Sequence, residues 1–251
     1  MKKLLLFVFL LGTLSAGTAW GQIAFDGVTE TTGTDTLSMA CPDVDSSPQG
    51  AVIFVMENNS GNSPADVISD CSFGSAAMTR VALSSDAVGS VTGQVYGYFL
   101  GSSIPTGAQT CSCTVSAGTT SKLMVAITVT AGADTQLAGM GDGTGYCGSV
   151  VAEANPDCVI GSIAGASYAF GGLWSGVNGP GGITAGSGFT ILGSGADFGV
   201  EAARAESNTS EVASGDQTVA FTATDNSQAL LGIAIEEVGG AVPRREVRVL
   251  Q

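Results

Sequence analysis

Two cysteines stand one residue apart in the segment TGAQTCSCTVSAG, residues 106–118, of a 251-residue chain that contains no histidine. Cysteine can bind a metal, take part in redox exchange or form a disulfide. A structural zinc site uses four ligands, usually with histidine or paired C-x-x-C motifs, and the chain has neither. C-x-x-C is also the spacing of thioredoxin-like redox sites. Disulfides are therefore the predicted chemistry of the six cysteines: Cys41, Cys71, Cys111, Cys113, Cys147 and Cys158.

Strand geometry restricts how these cysteines can pair. Alternate residues of an extended strand share a face, so Cys111 and Cys113 are expected to point together into a core. Their side chains lie about 6.5 to 7 Å apart, too far for a relaxed bond between the two. Each is expected to reach a different partner, with Cys41 and Cys71 favoured, although other pairings stay open. The remaining two cysteines are expected to close a local loop: Cys147 and Cys158.

Catalysis is not predicted. Without histidine the chain cannot form a Ser-His-Asp or Cys-His nucleophile, and it has no G-x-S-x-G motif. Glycoside hydrolysis needs only two carboxyl groups, but the E-x-D-x-x-E string of concanavalin-like glycosidases is absent. Glu201, Glu206 and Glu211 are expected on a solvated strand and loop, and Glu236 and Glu237 at an exposed strand end. A carboxylate-based hydrolase is therefore the least favoured alternative.

Calcium is the one cofactor that the sequence leaves open, because loop oxygens are its usual ligands. The segment DVDSS, residues 43–47, begins like an EF-hand loop but lacks the sixth-position glycine, and Phe54 stands where the bidentate glutamate is required. Asp134 in GADTQ and Asp142 in GMGDGTG each offer one carboxylate. A plain polar turn is the other interpretation of both segments.

Aromatic side chains could bind a sugar by stacking on its ring. Tyr168, Phe170 and Trp174 cluster in SYAFGGLWSGVNGPGG, residues 167–182, and Tyr146 lies nearby in the sequence. Tyr168, Phe170 and Leu173 would serve equally well as core residues. A glycan is thus a candidate partner, with Tyr146, Tyr168 and Trp174 as its candidate ligands.

The N-terminus, MKKLLLFVFLLGTLSAGTAWGQ, has the pattern of a secretory signal peptide over residues 1–21, with two lysines, an apolar run and small residues. Cleavage is predicted before Gln22, with cleavage after Ala19 as the alternative. The apolar run is shorter than the ~20 residues that span a membrane, and no later segment is long and apolar enough. The mature protein is expected to be soluble and secreted, outside the cell or at its surface, where disulfides persist.

Charge excludes nucleic acid as a partner. Removing residues 1–21 takes away two lysines and no acid, which changes the net charge from −14 to about −16. Only Arg80, Lys122 and Arg204 are basic between residues 22 and 240, whereas phosphate recognition needs clustered basic residues. The acidity itself is typical of a soluble surface.

Composition predicts an all-β protein. The chain has 37 glycines and only 12% charged residues, which is typical of short strands joined by tight turns. About a dozen antiparallel strands fit one two-sheet sandwich over residues 22–240. The predicted strands cover residues 23–29, 35–41, 51–58, 66–73, 76–83, 93–100, 121–132, 167–174, 187–193, 216–225 and 229–238. The last two are expected to form a closing hairpin.

Alternation identifies the core face of several strands. In residues 121–132 the expected inward side chains are Leu123, Val125, Ile127 and Val129. In the last two strands they are Val219, Phe221, Ala223, Leu231, Ile233 and Ile235.

Four segments carry a family resemblance: FGSAAMTRV (73–81), VYGYFLGSSIPTGAQTCSCTVS (95–116), LMVAITVTAGAD (123–134) and QTVAFTATDNSQALLGIAIEEV (217–238). The chain resembles the jelly-roll, concanavalin-like β-sandwich modules of secreted bacterial and phage virion-associated proteins. The resemblance covers most of residues 23–238 and implies a jelly-roll fold, but it transfers no functional residue. The six cysteines and the glycine-rich region 136–196 depart from the pattern.

The C-terminal tail AVPRREVRVLQ, residues 241–251, holds three of the six basic residues of the mature chain. Arg244, Arg245, Val247, Arg248 and Val249 are expected to pair with a sheet edge or acidic surface of another copy; a frayed terminus is the alternative. The predicted function is a non-catalytic structural or adhesive protein of a cell surface, extracellular matrix or virion. A carbohydrate-binding module, assisted by calcium, is the alternative.

Overall fold

The computed structural model describes residues 23–42, 49–59, 66–88, 91–116, 120–138, 145–151, 154–163, 167–176, 179–199, 201–212, 215–224 and 227–238. The predicted signal peptide, the segment 43–47, Asp142 and the tail 241–251 with its five candidate residues lie outside these ranges.

The first half of the described chain forms one five-stranded and one four-stranded antiparallel sheet. Its strands are β1 (Ala24–Gly33), β2 (Leu37–Ala40), β3 (Gly50–Asn59), β4 (Ile68–Phe73), β5 (Ala76–Ala77), β6 (Thr79–Val88), β7 (Val91–Leu100), β8 (Thr110–Val115) and β9 (Lys122–Thr130). The larger sheet has the order β1-β9-β3-β7-β6 and the smaller β2-β8-β4-β5. Strand β3 is central, as its nearly continuous apolar sequence predicts.

The second half forms a six-stranded and a three-stranded sheet. Its elements are β10 (Thr135–Leu137), β11 (Tyr146–Val151), β12 (Asp157–Ile163), β13 (Ser167–Ser175), a 3₁₀ turn (Pro180–Gly182), β14 (Thr184–Ala185), β15 (Phe189–Asp197), β16 (Ala202–Asn208), β17 (Gly215–Thr222) and β18 (Gln228–Glu237). The larger sheet has the order β10-β18-β13-β16-β15, and β11 also pairs with β18. The smaller has the order β12-β17-β14.

The two halves have the same strand order. With the short β5 and β10 set aside, each larger sheet places its first, eighth, third, sixth and fifth strands side by side. Each smaller sheet places its second, seventh and fourth strands side by side. The second half therefore repeats the connectivity of the first.

Three apolar cores separate the sheets. The central core lies between the two larger sheets and includes Phe54, Trp174 and Ile233. A second core, with Tyr96, lies between the larger and smaller sheets of the first half. A third, with Phe221, lies between those of the second half. The prediction of an all-β antiparallel protein is confirmed, but the described residues form four sheets where two were expected.

The predicted closing hairpin is wrong. Strand β17 pairs with β12 and β14 in the three-stranded sheet, whereas β18 lies between β13 and β11 in the six-stranded sheet. Val219 and Phe221 of β17 contribute to the third core together with Leu230 and Ala234 of β18. The predicted inward residues of β18, namely Leu231, Ile233 and Ile235, face the central core instead. Pattern alone does not separate strands that pair side by side from strands that pack face to face.

Four strands were not predicted: β10, β11, β12 and β14. Strand β11 lies largely in the segment expected to be a loop between Cys147 and Cys158, and β12 begins at the end of that segment. Strand β16 occupies the segment expected to be a solvated strand and loop, but it is largely buried. These strands contain Gly, Ser, Ala and acidic residues, whose intrinsic strand preference is low. They are held as strands by pairing with apolar neighbours, such as β16 with β13.

The six cysteines form three disulfides between the partners favoured from the sequence, which had left open which of Cys111 and Cys113 bonds to Cys41. Cys41 bonds to Cys111 and Cys71 to Cys113 in the four-stranded sheet, where Cys71 and Cys113 are direct cross-strand partners. Cys147 bonds to Cys158 and joins the two sheets of the second half. Such bonds stabilise a fold chiefly by restricting the unfolded chain and are typical of extracellular proteins.

Glycines in one larger sheet make room for large side chains of the other. A Cβ at Gly93 would lie 1.8 Å from Trp174, one at Gly97 would lie 2.7 Å from Ile233, and one at Gly172 would lie 2.8 Å from Phe54. These distances are below van der Waals contact. The close approach of the two larger sheets therefore depends on glycine at these positions.

We predict that Gly93→Ala lowers the free energy of unfolding by about 3 kcal/mol, because the added methyl group overlaps the buried Trp174 ring. Urea denaturation followed by Trp fluorescence measures this loss. Gly181→Ala is the matched control, since nothing lies within 4 Å of a Cβ at Gly181, and its effect should stay within about 0.5 kcal/mol. Equal stability of the two variants contradicts the predicted overlap.

Candidate functional site

Buried polar groups gather at one end of the stacked sheets. Strands β1 and β3 end there, and β9 and β16 begin there. The backbone amide of Asn58 donates to the Ser121 carbonyl at 3.2 Å, and that of Phe198 donates to the Glu201 carbonyl at 2.8 Å. The side chain amide of Asn58 donates to the Glu201 carboxylate, so this bond joins the two larger sheets at their common end.

A buried ion pair closes the core of the first half at this end. Lys122 and Glu57 are 0% and 1% exposed, and the Nζ atom lies 3.4 Å from Oε1. Lys122 also donates to the carbonyls of Thr34 and Thr120, at 3.1 and 3.0 Å. The Thr120 hydroxyl donates to Glu57 Oε1 at 2.8 Å. All three ammonium hydrogens therefore have acceptors, which a buried lysine requires.

Two tyrosines and a glutamine extend this polar cluster. The Tyr96 hydroxyl lies within hydrogen-bonding distance of Gln94 and is 3.5 Å from Glu57 Oε2, and it accepts from the Val67 amide at 3.1 Å. The Tyr98 hydroxyl donates to the Ile68 carbonyl at 2.8 Å. Burial raises the pKa of both tyrosines, that of Tyr98 to about 12. Both phenols are therefore neutral hydrogen-bonding groups at ordinary pH.

The two buried carboxyl groups at this end of the sheets have shifted pKa values. Burial raises the pKa of Glu57, and the bond from Thr120 and the charge of Lys122 oppose that rise. Burial likewise raises the pKa of Glu201, opposed by the bond from Asn58. These groups carry hydrogen bonds inside the fold.

Glu206 lies in the third core, away from that end of the sheets. Its side chain is 0% exposed, and its neighbours across the sheet are Gly171 and Ile191. Oε2 accepts from the Gly186 amide at 3.3 Å. Burial raises the pKa of Glu206 to about 8, against the opposing effect of the Gly186 and Ala220 amides.

The predicted exposure of the acidic residues is therefore wrong at several positions. Glu201, Glu206 and Glu236 are buried, and Glu211 and Glu237 are half-buried. Glu236 accepts from the Gln136 amide at 3.0 Å. The sequence did contain one signal of burial. Each of the three buried glutamates lies next to small or apolar residues, and Glu57 and Lys122 similarly interrupt apolar runs.

The predicted aromatic platform is not on the surface. Trp174 and Phe170 are fully buried, and Tyr168 is 6% exposed and stacks on Phe170 with 5.5 Å between ring centroids. Tyr146 is half-buried and packs against the central core. The alternative interpretation, that Tyr168, Phe170 and Leu173 are core residues, agrees with the structure, in which all three are buried.

The candidate calcium ligand Asp134 is exposed. Among the residues that the structure describes, no three His, Cys, Asp or Glu side chains lie close enough together to hold a metal ion. The same part of the chain contains no helix long and apolar enough to cross a membrane.

One pocket of about 260 Å³ opens beside the Asn58–Glu201 bond. It is lined by Thr32, Gly33, Thr34, Ser121, Asp197 and Phe198. Its walls come from β1, the start of β9 and the end of β15, so both larger sheets contribute to it. None of these residues was predicted as a site, because they are brought together only by the packing of the two sheets.

Fold and site together define a disulfide-bonded, all-β protein of stacked antiparallel sheets, consistent with a β-sandwich. No family model matches the chain, and neither a curated protein nor a solved structure does. The resemblance to jelly-roll modules thus rests on the sequence motifs alone.

Proposed function

We propose that the chain is a secreted, non-catalytic structural or adhesive protein with jelly-roll topology. In a jelly roll, the first, eighth, third and sixth strands form one sheet and the second, seventh, fourth and fifth form the other. Both halves follow this order closely. In the first half the fifth strand is shared, since β5 pairs in the smaller sheet and β6 in the larger.

The observation that carries the proposal is how the fold uses its ionisable groups. Glu57 pairs with Lys122, and Glu201 bonds to Asn58 between the larger sheets. Glu206 lies inside a core. Glu57 and Glu201 thus serve as ion-pairing and hydrogen-bonding groups of the fold, the first within one sheet and the second between two sheets, and three disulfides add to its stability. A stiff, cross-linked scaffold of this kind suits a protein that endures conditions outside the cell.

The tail is proposed as the assembling segment of this structural protein. We predict that the mature chain forms oligomers or filaments and that deletion of residues 241–251 returns it to a monomer. The reason is electrostatic: the tail holds three of the six basic residues of the mature chain and would be attracted to the acidic surface of another copy. Size exclusion with light scattering and negative-stain microscopy measure the change. Replacing Arg244, Arg245 and Arg248 with Gln is the matched variant that keeps the tail length. A monomeric full-length protein contradicts the prediction.

The alternative function, a carbohydrate-binding module, is favoured by the pocket beside the Asn58–Glu201 bond. The calcium assistance proposed with it is tested by glycan binding in added calcium and in EDTA. Equal binding in both solutions removes calcium from the proposal.

A further inference from the structure

The pocket presents the kinds of groups that recognise a sugar ring. Thr32, Thr34 and Ser121 are exposed and carry hydroxyl groups, and Asp197 is an exposed carboxylate. The Phe198 side chain is half-buried against the central core. Hydroxyl and carboxylate groups can bond to sugar hydroxyls, while an aromatic ring can cover the apolar C–H face of a pyranose.

Hydrogen bonds within the protein fix the walls of the pocket. Asp197 Oδ1 accepts from the Gly199 amide at 2.8 Å, which orients the carboxylate. The Phe198 and Asn58 backbone amides bond to Glu201 and Ser121, and the Asn58–Glu201 side-chain bond connects the two walls. Preorganised walls of this kind lower the conformational entropy lost on binding.

Charge selects among ligand classes. An anion would meet the Asp197 carboxylate in a chain of formal net charge −14. A cation would find one lining carboxylate, and the carbonyl of Thr34 already accepts from the Lys122 ammonium at 3.1 Å. A neutral, polyhydroxylated ligand meets neither obstacle. The volume of about 260 Å³ is below the roughly 300 Å³ at which pockets for drug-sized ligands begin, so the ligand is small.

We infer that this pocket binds a single neutral pyranose unit, such as the end of a glycan chain. Phe198 stacks on the sugar ring, Asp197 accepts from its hydroxyl groups, and the threonine and serine hydroxyls complete the contacts. The inference rests on the alternative function, carbohydrate binding, and names its site.

The test is saturation-transfer NMR on the full mature protein with its disulfides intact. Glucose, galactose, mannose and N-acetylglucosamine serve as the probes. We expect at least one of them to bind, and Asp197→Asn and Phe198→Ala each to weaken that binding at least about tenfold, which is the loss of one good contact. Asp70→Asn, at an exposed aspartate of β4 outside the pocket, should leave the affinity unchanged.

Phe198→Ala removes a side chain that packs on the core, so its fold is checked by near-UV circular dichroism. Asp197 is exposed, and Asp197→Asn keeps the test decisive if the first variant unfolds. If a sugar binds wild type and Asp197→Asn equally, the pocket is overturned as the site while carbohydrate binding stands. If none of the four sugars binds, the pocket inference and the alternative function both fall.

Discussion

Replacing Lys122 with methionine is expected to lower the free energy of unfolding by about 3 to 5 kcal/mol. The ammonium is 0% exposed and lies 3.4 Å from Glu57. Without it, Glu57 must stay charged in an apolar core or take up a proton to become neutral. The Thr34 carbonyl also loses its donor. Urea denaturation of the disulfide-bonded protein at neutral pH measures the change.

Two further variants show whether the buried pair causes that loss. Glu57→Leu combined with Lys122→Met should restore all but about 1 kcal/mol, because replacing a whole buried ion pair by apolar groups is often close to neutral. Arg80→Met breaks the exposed pair with Asp66, whose side chains are 29% and 51% exposed, and should cost about 1 kcal/mol or less. A double variant that is no more stable than Lys122→Met alone contradicts this account.

Stability is expected to fall as the pH rises, and Glu206 is expected to cause much of the fall. Its pKa is about 8 in the folded protein, against 4.5 as its ordinary value. Between these values the unfolded chain releases the proton that the folded chain keeps, so unfolding becomes easier with each step in pH. The stability lost from about pH 5 to about pH 8 is on the order of 4 kcal/mol.

Glu206→Gln cannot ionise and should therefore flatten the decline. The variant keeps an acceptor for the Gly186 amide, although its absolute stability at low pH is lowered by an amide without an acceptor. The readout is thus the slope of the unfolding free energy against pH. Some slope remains, since burial also raises the pKa of Glu57, Glu201 and Glu211.

The control for this experiment is Asp134→Asn, which removes one exposed carboxylate and should leave the slope at its wild-type value. A slope in Glu206→Gln as steep as that of wild type shows that Glu206 is not the group responsible.

Local pattern was sufficient for much of the fold. Leu123, Val125, Ile127 and Val129 face the central core as their alternation predicts. Cys111 and Cys113 face the core of the first half and bond to separate partners, as the spacing of residues along a strand requires. Each of these predictions depends only on the two-residue repeat of an extended strand, and that repeat can be recognised from the order of apolar and polar residues.

Longer-range arrangement was harder to predict. Strand β17 has one apolar face, and β18 is apolar on both faces, but neither pattern shows whether the two strands share a sheet or face each other across a core. Glu206 lies next to the small residues Ala205 and Ser207, but its burial depends on strands that are distant in the chain, namely β13, β15 and β17. The pocket has the same origin, with Thr32 and Asp197 far apart in the chain.

The sequence by itself therefore determined the class of the protein: extended strands, cysteines that face a core, and an acidic composition. The tertiary structure alone decided that the strands stack as four sheets, that Lys122 and Glu57 meet in a core, and that a pocket forms between the larger sheets. The reason is physical. Side-chain alternation is a local property of a strand, whereas burial, charge pairing and cavities depend on which surfaces meet, and that is settled by packing over the whole chain.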